Sequence, residues 1–229
     1  VCGGAPIRPE VGEFFEAIGI YLISGYGITE CSPLISVIPL DDHNPASCGR
    51  LMPEMQIFID KEKASDDFGE IVVKGPNVML GYYEDDEQTR EVLNNGWFRT
   101  GDYGYIDNKG YLYITGRKKN VIVLSGGKNV FPEEIEEYLA PCPLIEECVV
   151  AGMTDDKTGE YVVGVYVYPS ASECKERGLN SRDDVCKAMT DEIKQINKKL
   201  VGFKRISKII IRDEPFEKTS TKKVKRHLV

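Results

Sequence analysis

Apolar positions along this chain repeat with two different periods. Val11, Phe14, Phe15 and Ile18 fall at helical spacing behind Pro9, which predicts an amphipathic helix with proline in its first turn. Residues 182–200 carry the same signature, with Val185, Met189, Ile193, Ile196 and Leu200 on one face. A third helix is predicted over 132–139, where Pro132 and a run of glutamates suit the positive end of the helix dipole. A short fourth one spans 85–92. Strands are predicted at 21–24, 55–59, 69–74, 110–114, 120–124, 147–151, 161–167 and 207–211, runs rich in β-branched and aromatic residues between turn formers. From Ser47 to about Ile114 the pattern is all strand, and beyond Lys118 helices and strands mix. The fold class expected is mixed α/β (α+β), in two parts, without internal repeats.

Composition narrows the function. The 229 residues can form one large domain or two modest ones, with 41% hydrophobic and 29% charged side chains typical of a globular protein. A formal charge of −8 argues against a general nucleic-acid binder. No apolar run approaches the roughly 20 residues of a membrane span, which leaves peripheral membrane contact open. Seven cysteines, an odd number without a CxxC pair, read as reduced thiols, so the expected location is cytoplasmic. Two distant histidines, His43 and His227, make neither a histidine metal cluster nor a Ser-His-Asp triad expected. The start at Val1, without initiator methionine or signal peptide, reads as a cut inside a longer chain.

Three stretches carry candidate chemistry. In Gly25-Tyr26-Gly27-Ile28-Thr29-Glu30 two glycines let backbone approach a ligand, Thr29 offers a hydroxyl, and Glu30 suits a hard cation such as Mg²⁺. The plain alternative is a strand-turn. Between Gly96 and Glu137, Asp102 reads as sitting in a Thr-Gly-Asp turn, Arg117 as closing a strand, and Gly126-Gly127 as a turn, three features that can gather near one ligand. Asp102 could equally satisfy its own turn amides, and Arg117 a surface salt bridge. Trp97 is expected to pack rather than to bind. The basic tail, Lys218 to Arg226, is either a solvated end or a loop delivering an ammonium to a phosphate.

These motifs, in this order, resemble those of the adenylate-forming (AMP-binding) superfamily, which includes acyl-CoA synthetases, luciferases and peptide-synthetase adenylation domains. The wording of residues 116–136 and of the tail is most similar to long-chain fatty acyl-CoA synthetases. The resemblance implies that Tyr26 stacks on adenine beside Gly27, with Gly4 and Ala5 along the other side of the base. It implies further that Thr29 contacts phosphates, Glu30 holds Mg²⁺, and Asp102 takes the ribose hydroxyls with Ile114 and Arg117 completing the nucleotide site. Lys119 would be the hinge, Gly126 and Gly127 the path of CoA, and Lys223 the catalytic lysine beside Glu30 and Thr29. The tail departs from the family pattern with Lys222 in place of glycine and Glu217 in place of proline.

The implied architecture is a small distorted β-barrel completing the large domain over 1–117, then a small mobile α/β domain over 118–229. The implied activity is ATP-dependent joining of a carboxylic acid, of fatty type, to CoA, with Mg²⁺. Neither GxxxxGK[ST] nor GxGxxG occurs, and the family's phosphate loop is absent. The chain is therefore expected to be the C-terminal portion of such an enzyme, inactive alone. Two alternatives are a ligase serving an acyl-carrier protein, and a nucleotide-binding module without chemistry.

Overall fold

The computed structural model describes residues 3, 7, 9–63, 66–156, 158–219 and 224–229. The chain divides into two compact units, Val1–Lys119 and Asn120–Val229.

The first unit opens with helix α1 (Pro9–Ala17), followed by strands β1 (Gly25–Gly27), β2 (Leu34–Val37) and β3 (Arg50–Leu51), which form a three-stranded antiparallel sheet. Then come β4 (Gln56–Asp60), β5 (Gly69–Lys74), helix α2 (Asp86–Val92), β6 (Leu93–Asn94), β7 (Trp97–Ile106) and β8 (Leu112–Arg117). These strands pair in the order β4-β5-β7-β6, with β8 on β7. The pairing among the described residues is that of open sheets, so the expected barrel is not closed. Tyr26, Cys31, Ile35, Met55, Ile71, Val73, Phe98 and Leu112 form the core.

Two expectations shift here. The strand expected over 21–24 is displaced toward the 3₁₀ turn Thr29–Cys31: pairing with β2 runs over Gly25–Gly27, and of residues 21–24 Ser24 takes part, its carbonyl accepting from the Ile38 amide (2.9 Å). The expected Thr-Gly-Asp turn is an irregularity inside the ten-residue strand β7. There Glu70 and Val72 of β5 face Tyr103 and Arg99 of β7, so one residue of β5 opposes three of β7. The Thr100 hydroxyl replaces the missing ladder bond by donating to Ile71 O (2.8 Å), and it accepts from the Asp102 amide (3.1 Å). Gly101 absorbs the kink at φ +70°.

The second unit contains β9 (Ile122–Leu124) and β10 (Lys128–Val130) as a hairpin, then α3 (Pro132–Leu139), β11 (Ile145–Thr154), β12 (Tyr161–Pro169), α4 (Ala171–Glu176), α5 (Arg182–Asn197) and β13 (Lys208–Ile211). β11 pairs antiparallel with β12, and β13 joins β12 in parallel. Valines 150, 163, 165 and 167 meet Ile135, Leu139, Met189, Ile193 and Ile196 in the core. α5 starts at a capping box, Ser181 with Asp184. It stops at Asn197 rather than Leu200, because the Asn197 amide brackets the Ile206 peptide with two bonds of 2.9 Å. Among the described residues no helix is long and apolar enough to cross a membrane.

Candidate functional site

Asp102 is the centre of the first unit's polar chemistry. It sits just beyond the kink of β7, 3% exposed, with Arg117 as its cross-strand partner on β8. Its carboxylate is gripped by two donors: the Tyr26 hydroxyl on Oδ2 (2.6 Å) and Arg117 Nε on Oδ1 (2.7 Å). Burial first, then the charge and hydrogen bond of Asp102, drive the Tyr26 phenol far above its ordinary pKa, so it stays a donor. Burial, with the nearby Asp102 charge adding to it, pushes the Cys48 thiol up to about 11 despite a backbone bond at Ile114. Thus Tyr26 and Arg117, 91 positions apart in sequence numbering, converge on one carboxylate. Ile114, opposite Gly104 on β8, is 37% exposed.

The remainder of the motif, Gly27 to Glu30, is held by the segment 77–82. Gly27 ends β1 in an exposed position, and Thr29 is also exposed. Glu30 is half-buried, accepting a bond from the Tyr82 hydroxyl (3.1 Å), while its carbonyl accepts from the Met79 amide (2.8 Å). Asn77 Nδ2 donates to both Cys31 O and Leu34 O at 2.8 Å, clamping the turn across Ser32. Tyr82 is in turn fastened through its amide to Thr89 of α2 (2.9 Å). No grouping of three or more carboxylate, histidine or cysteine side chains able to hold a metal occurs among the described residues. A single fixed carboxylate such as Glu30 nevertheless fits Mg²⁺, which binds through one or two carboxylates together with phosphates and waters.

Past Arg117 the 3₁₀ turn Lys118–Asn120 leads out of the first unit. Lys118 reaches back to Glu70 (2.9 Å), whereas the Lys119 side chain is exposed. Gly126 and Gly127, both at positive φ, form the exposed β9–β10 turn, closed by the Gly127 amide on Leu124 O (3.0 Å). Trp97 packs edge-on against Phe58 at 4.9 Å. Gly4, Ala5 and Lys223 lie outside the described residues. The stem of the basic tail is described: Lys218 bridges Val224, Lys218 pairs with Glu147, and Arg226 pairs with half-buried Glu136. The structure therefore joins Tyr26, Asp102 and Arg117 directly, and it sets Glu30 on a support of its own. The supports Tyr82, Asn77 and Thr100 carried no sequence signal, since each acts through a contact distant in the chain or through strand register.

Residues 1–83 match the family described as AMP-binding enzyme, and residues 119–229 match the AMP-binding enzyme C-terminal domain. A long-chain-fatty-acid–CoA ligase of Escherichia coli is 38% identical over 183 residues, 77% of this chain and 32% of that protein. A 2-succinylbenzoate–CoA ligase of Bacillus cereus is 39% identical over 183 residues, 78% of this chain and 38% of that protein. Among solved structures, O-succinylbenzoate coenzyme A synthetase from Bacillus subtilis, in complex with ATP and magnesium ion, aligns with a TM-score of 0.77 at 28% identity. That alignment covers 98% of this chain and 44% of the other. The chain spans about a third of the length of the curated fatty-acid ligase it matches.

Proposed function

This chain belongs to the AMP-binding, adenylate-forming enzymes, and from that premise we propose that it serves an ATP-dependent ligase joining a carboxylic acid to coenzyme A. The observation that carries the reading is Asp102, a buried carboxylate fixed between the Tyr26 hydroxyl and the Arg117 guanidinium. An acceptor oriented so firmly suits the paired hydroxyls of a ribose, and the Arg117 side chain, 49% exposed, keeps donors toward solvent for ribose or phosphate oxygens. Tyr26 and Gly27, with Gly4, Ala5 and Ile114, are assigned to the adenine side of that site.

In the first half-reaction a carboxylate oxygen of the acid attacks the α-phosphorus of ATP, and the bond to pyrophosphate breaks. Thr29 donates its hydroxyl to phosphate oxygens. Glu30, held by Tyr82, would be the protein ligand for Mg²⁺, which when bound would neutralise phosphate charge. Lys223 supplies a positive charge beside the attacked phosphate, where charge builds in the transition state. In the second half-reaction the CoA thiol attacks the acyl carbon, and AMP leaves. We assign Lys119 as the hinge between the two steps, dividing a large domain ending at residue 117 from a small mobile one. Gly126 and Gly127 line the path of pantetheine, since a turn without side chains lets the cofactor lie against backbone.

The acid is assigned as a fatty acid, on the wording of residues 116–136 and the identity to fatty-acid ligases along 77% of the chain. The 39% identity to a ligase named for 2-succinylbenzoate favours a second reading, an aryl-substituted acid. Mass spectrometry of acyl-CoA formed by the full-length protein, offered long-chain fatty acids and 2-succinylbenzoate in competition, separates the two. Predominant fatty acyl-CoA supports the first reading, and predominant succinylbenzoyl-CoA replaces it with the second. Acyl transfer to a carrier protein with none to CoA would overturn both.

A further inference from the structure

The nucleotide site stands beside an ion-pair ladder that the proposed chemistry does not use. Four charges are linked in a chain of ion pairs that alternates acid and base: Asp60 on β4, Arg99 on β7, Glu70 on β5, and Lys118 just past β8. Arg99 bonds Asp60 and Glu70 at 2.5 Å each, and Lys118 Nζ meets the same Glu70 oxygen at 2.9 Å. Glu70 is the buried member, its side chain 5% exposed. β8 pairs with β7 and β7 with β5, so the Lys118 side chain crosses the middle strand to reach its partner.

The position of that tether is informative. Arg117 is the last residue of β8, and a strand end frays at little free-energy cost. A frayed end would carry Arg117 Nε away from Asp102. Lys118 is the very next residue, and its half-exposed side chain reaches a carboxylate that is itself buried, so the pair is screened less than one exposed on both sides. Loss of Lys118 would not strand Glu70, because Arg99 continues to pair with it. A variant lacking the ammonium is therefore expected to fold normally while its strand end loosens.

We propose that Glu70 and Lys118 are positioning residues for the ribose site: their ion pair holds the end of β8 closed, keeps Arg117 against Asp102, and makes Lys119 the first residue beyond the tether. This rests on the nucleotide reading of Asp102. It adds a pair outside that site whose removal acts on ribose recognition through Arg117.

The experiment is acid-dependent ATP–pyrophosphate exchange by the full-length protein, with kcat and KM measured for ATP and for 2′-deoxy-ATP. Wild type is compared with Lys118→Met, Lys118→Arg and Asp102→Asn, and the unfolding midpoint of each is recorded. The expected result for Lys118→Met is a fall in the preference for ATP over 2′-deoxy-ATP of at least about threefold, mainly through KM and without a lower midpoint. Lys118→Arg is expected to restore the preference to within about twofold. Equal losses with both nucleotides, no change at all, or a lower midpoint with an unchanged preference would overturn the positioning role. If Asp102→Asn abolishes the preference while Lys118→Met leaves it intact, the positioning role alone falls. If wild type shows no preference, or Asp102→Asn does not reduce it, the ribose site itself is wrong.

Discussion

Removing the Tyr26 hydroxyl isolates the grip on Asp102. Tyr26→Phe keeps the ring, which is 7% exposed and packed in the first unit's core, so no cavity opens. What disappears is a 2.6 Å hydrogen bond from a neutral donor to a buried carboxylate. Stranding a buried charge outright costs roughly 3–5 kcal/mol, but Arg117 Nε remains on the other oxygen at 2.7 Å. The loss should therefore match a single hydrogen bond to a charged group, about 2 kcal/mol or ~30-fold in the folding equilibrium. Trp97, the only tryptophan in the sequence, lies on the same strand as Asp102 and reports on this unit in urea unfolding followed by fluorescence. In an Asp102→Asn background the same substitution should cost only about 1 kcal/mol, since the acceptor is then neutral. A loss below about 0.5 kcal/mol, or equal losses in both backgrounds, would refute the reasoning, because the hydroxyl would not then be bonded to an ionised Asp102.

Three further outcomes follow from particular contacts. Gly101→Ala should cost roughly 1–2 kcal/mol in the same unfolding assay: φ is +70° and no atom lies within 4 Å of an added Cβ, so backbone strain acts alone. Tyr82→Phe should raise the Mg²⁺ concentration for half-maximal pyrophosphate release about threefold or more, while kcat at saturating Mg²⁺ stays within about twofold, because the lost bond orients Glu30 rather than ligating the ion. Glu136 supplies a pH dependence: burial raises its pKa to about 7 against the pull of Arg226 and the Val150 amide, with the Glu133 charge adding to the rise. The folded state then holds this proton more tightly than the unfolded state. Its contribution to stability is complete below about pH 4.5 and is lost as pH rises to about 7, amounting to ~3 kcal/mol. Urea unfolding of wild type between pH 4.5 and 8 should carry this slope, and Glu136→Gln should remove it.

What was legible in the sequence was chemistry carried by local wording. Tyr26, Asp102 and Arg117 stand out because each sits in a short run that resembles a family motif, while apolar periodicity marked α1 and α5, Pro132 with its glutamates marked α3, and β-branched and aromatic runs marked most strands. Register was not legible. Asp102 reads as a turn residue because it stands with Gly101 and Gly104, residue types that favour turns, and only the pairing of β7 with β5 and β8 reveals a kinked strand. Tyr82 meets Glu30 across 52 positions and Lys118 meets Glu70 across 48, contacts that exist only once strands are ordered. Helix α5 outran its true end in the apolar pattern because Leu200 continues the face, whereas Asn197 halts the helix through a bond to Ile206.

The central claim is that a carboxylic acid is adenylated at the site built on Asp102 with the help of Lys223. Acid-dependent ATP–pyrophosphate exchange by the full-length protein, without CoA, tests it most directly when wild type runs beside Asp102→Asn and Lys223→Ala. The expected result is exchange that requires the acid, a raised KM for ATP in Asp102→Asn, and collapse of kcat in Lys223→Ala. Exchange that proceeds undiminished in both variants, or its absence from wild type with every acid, would contradict it.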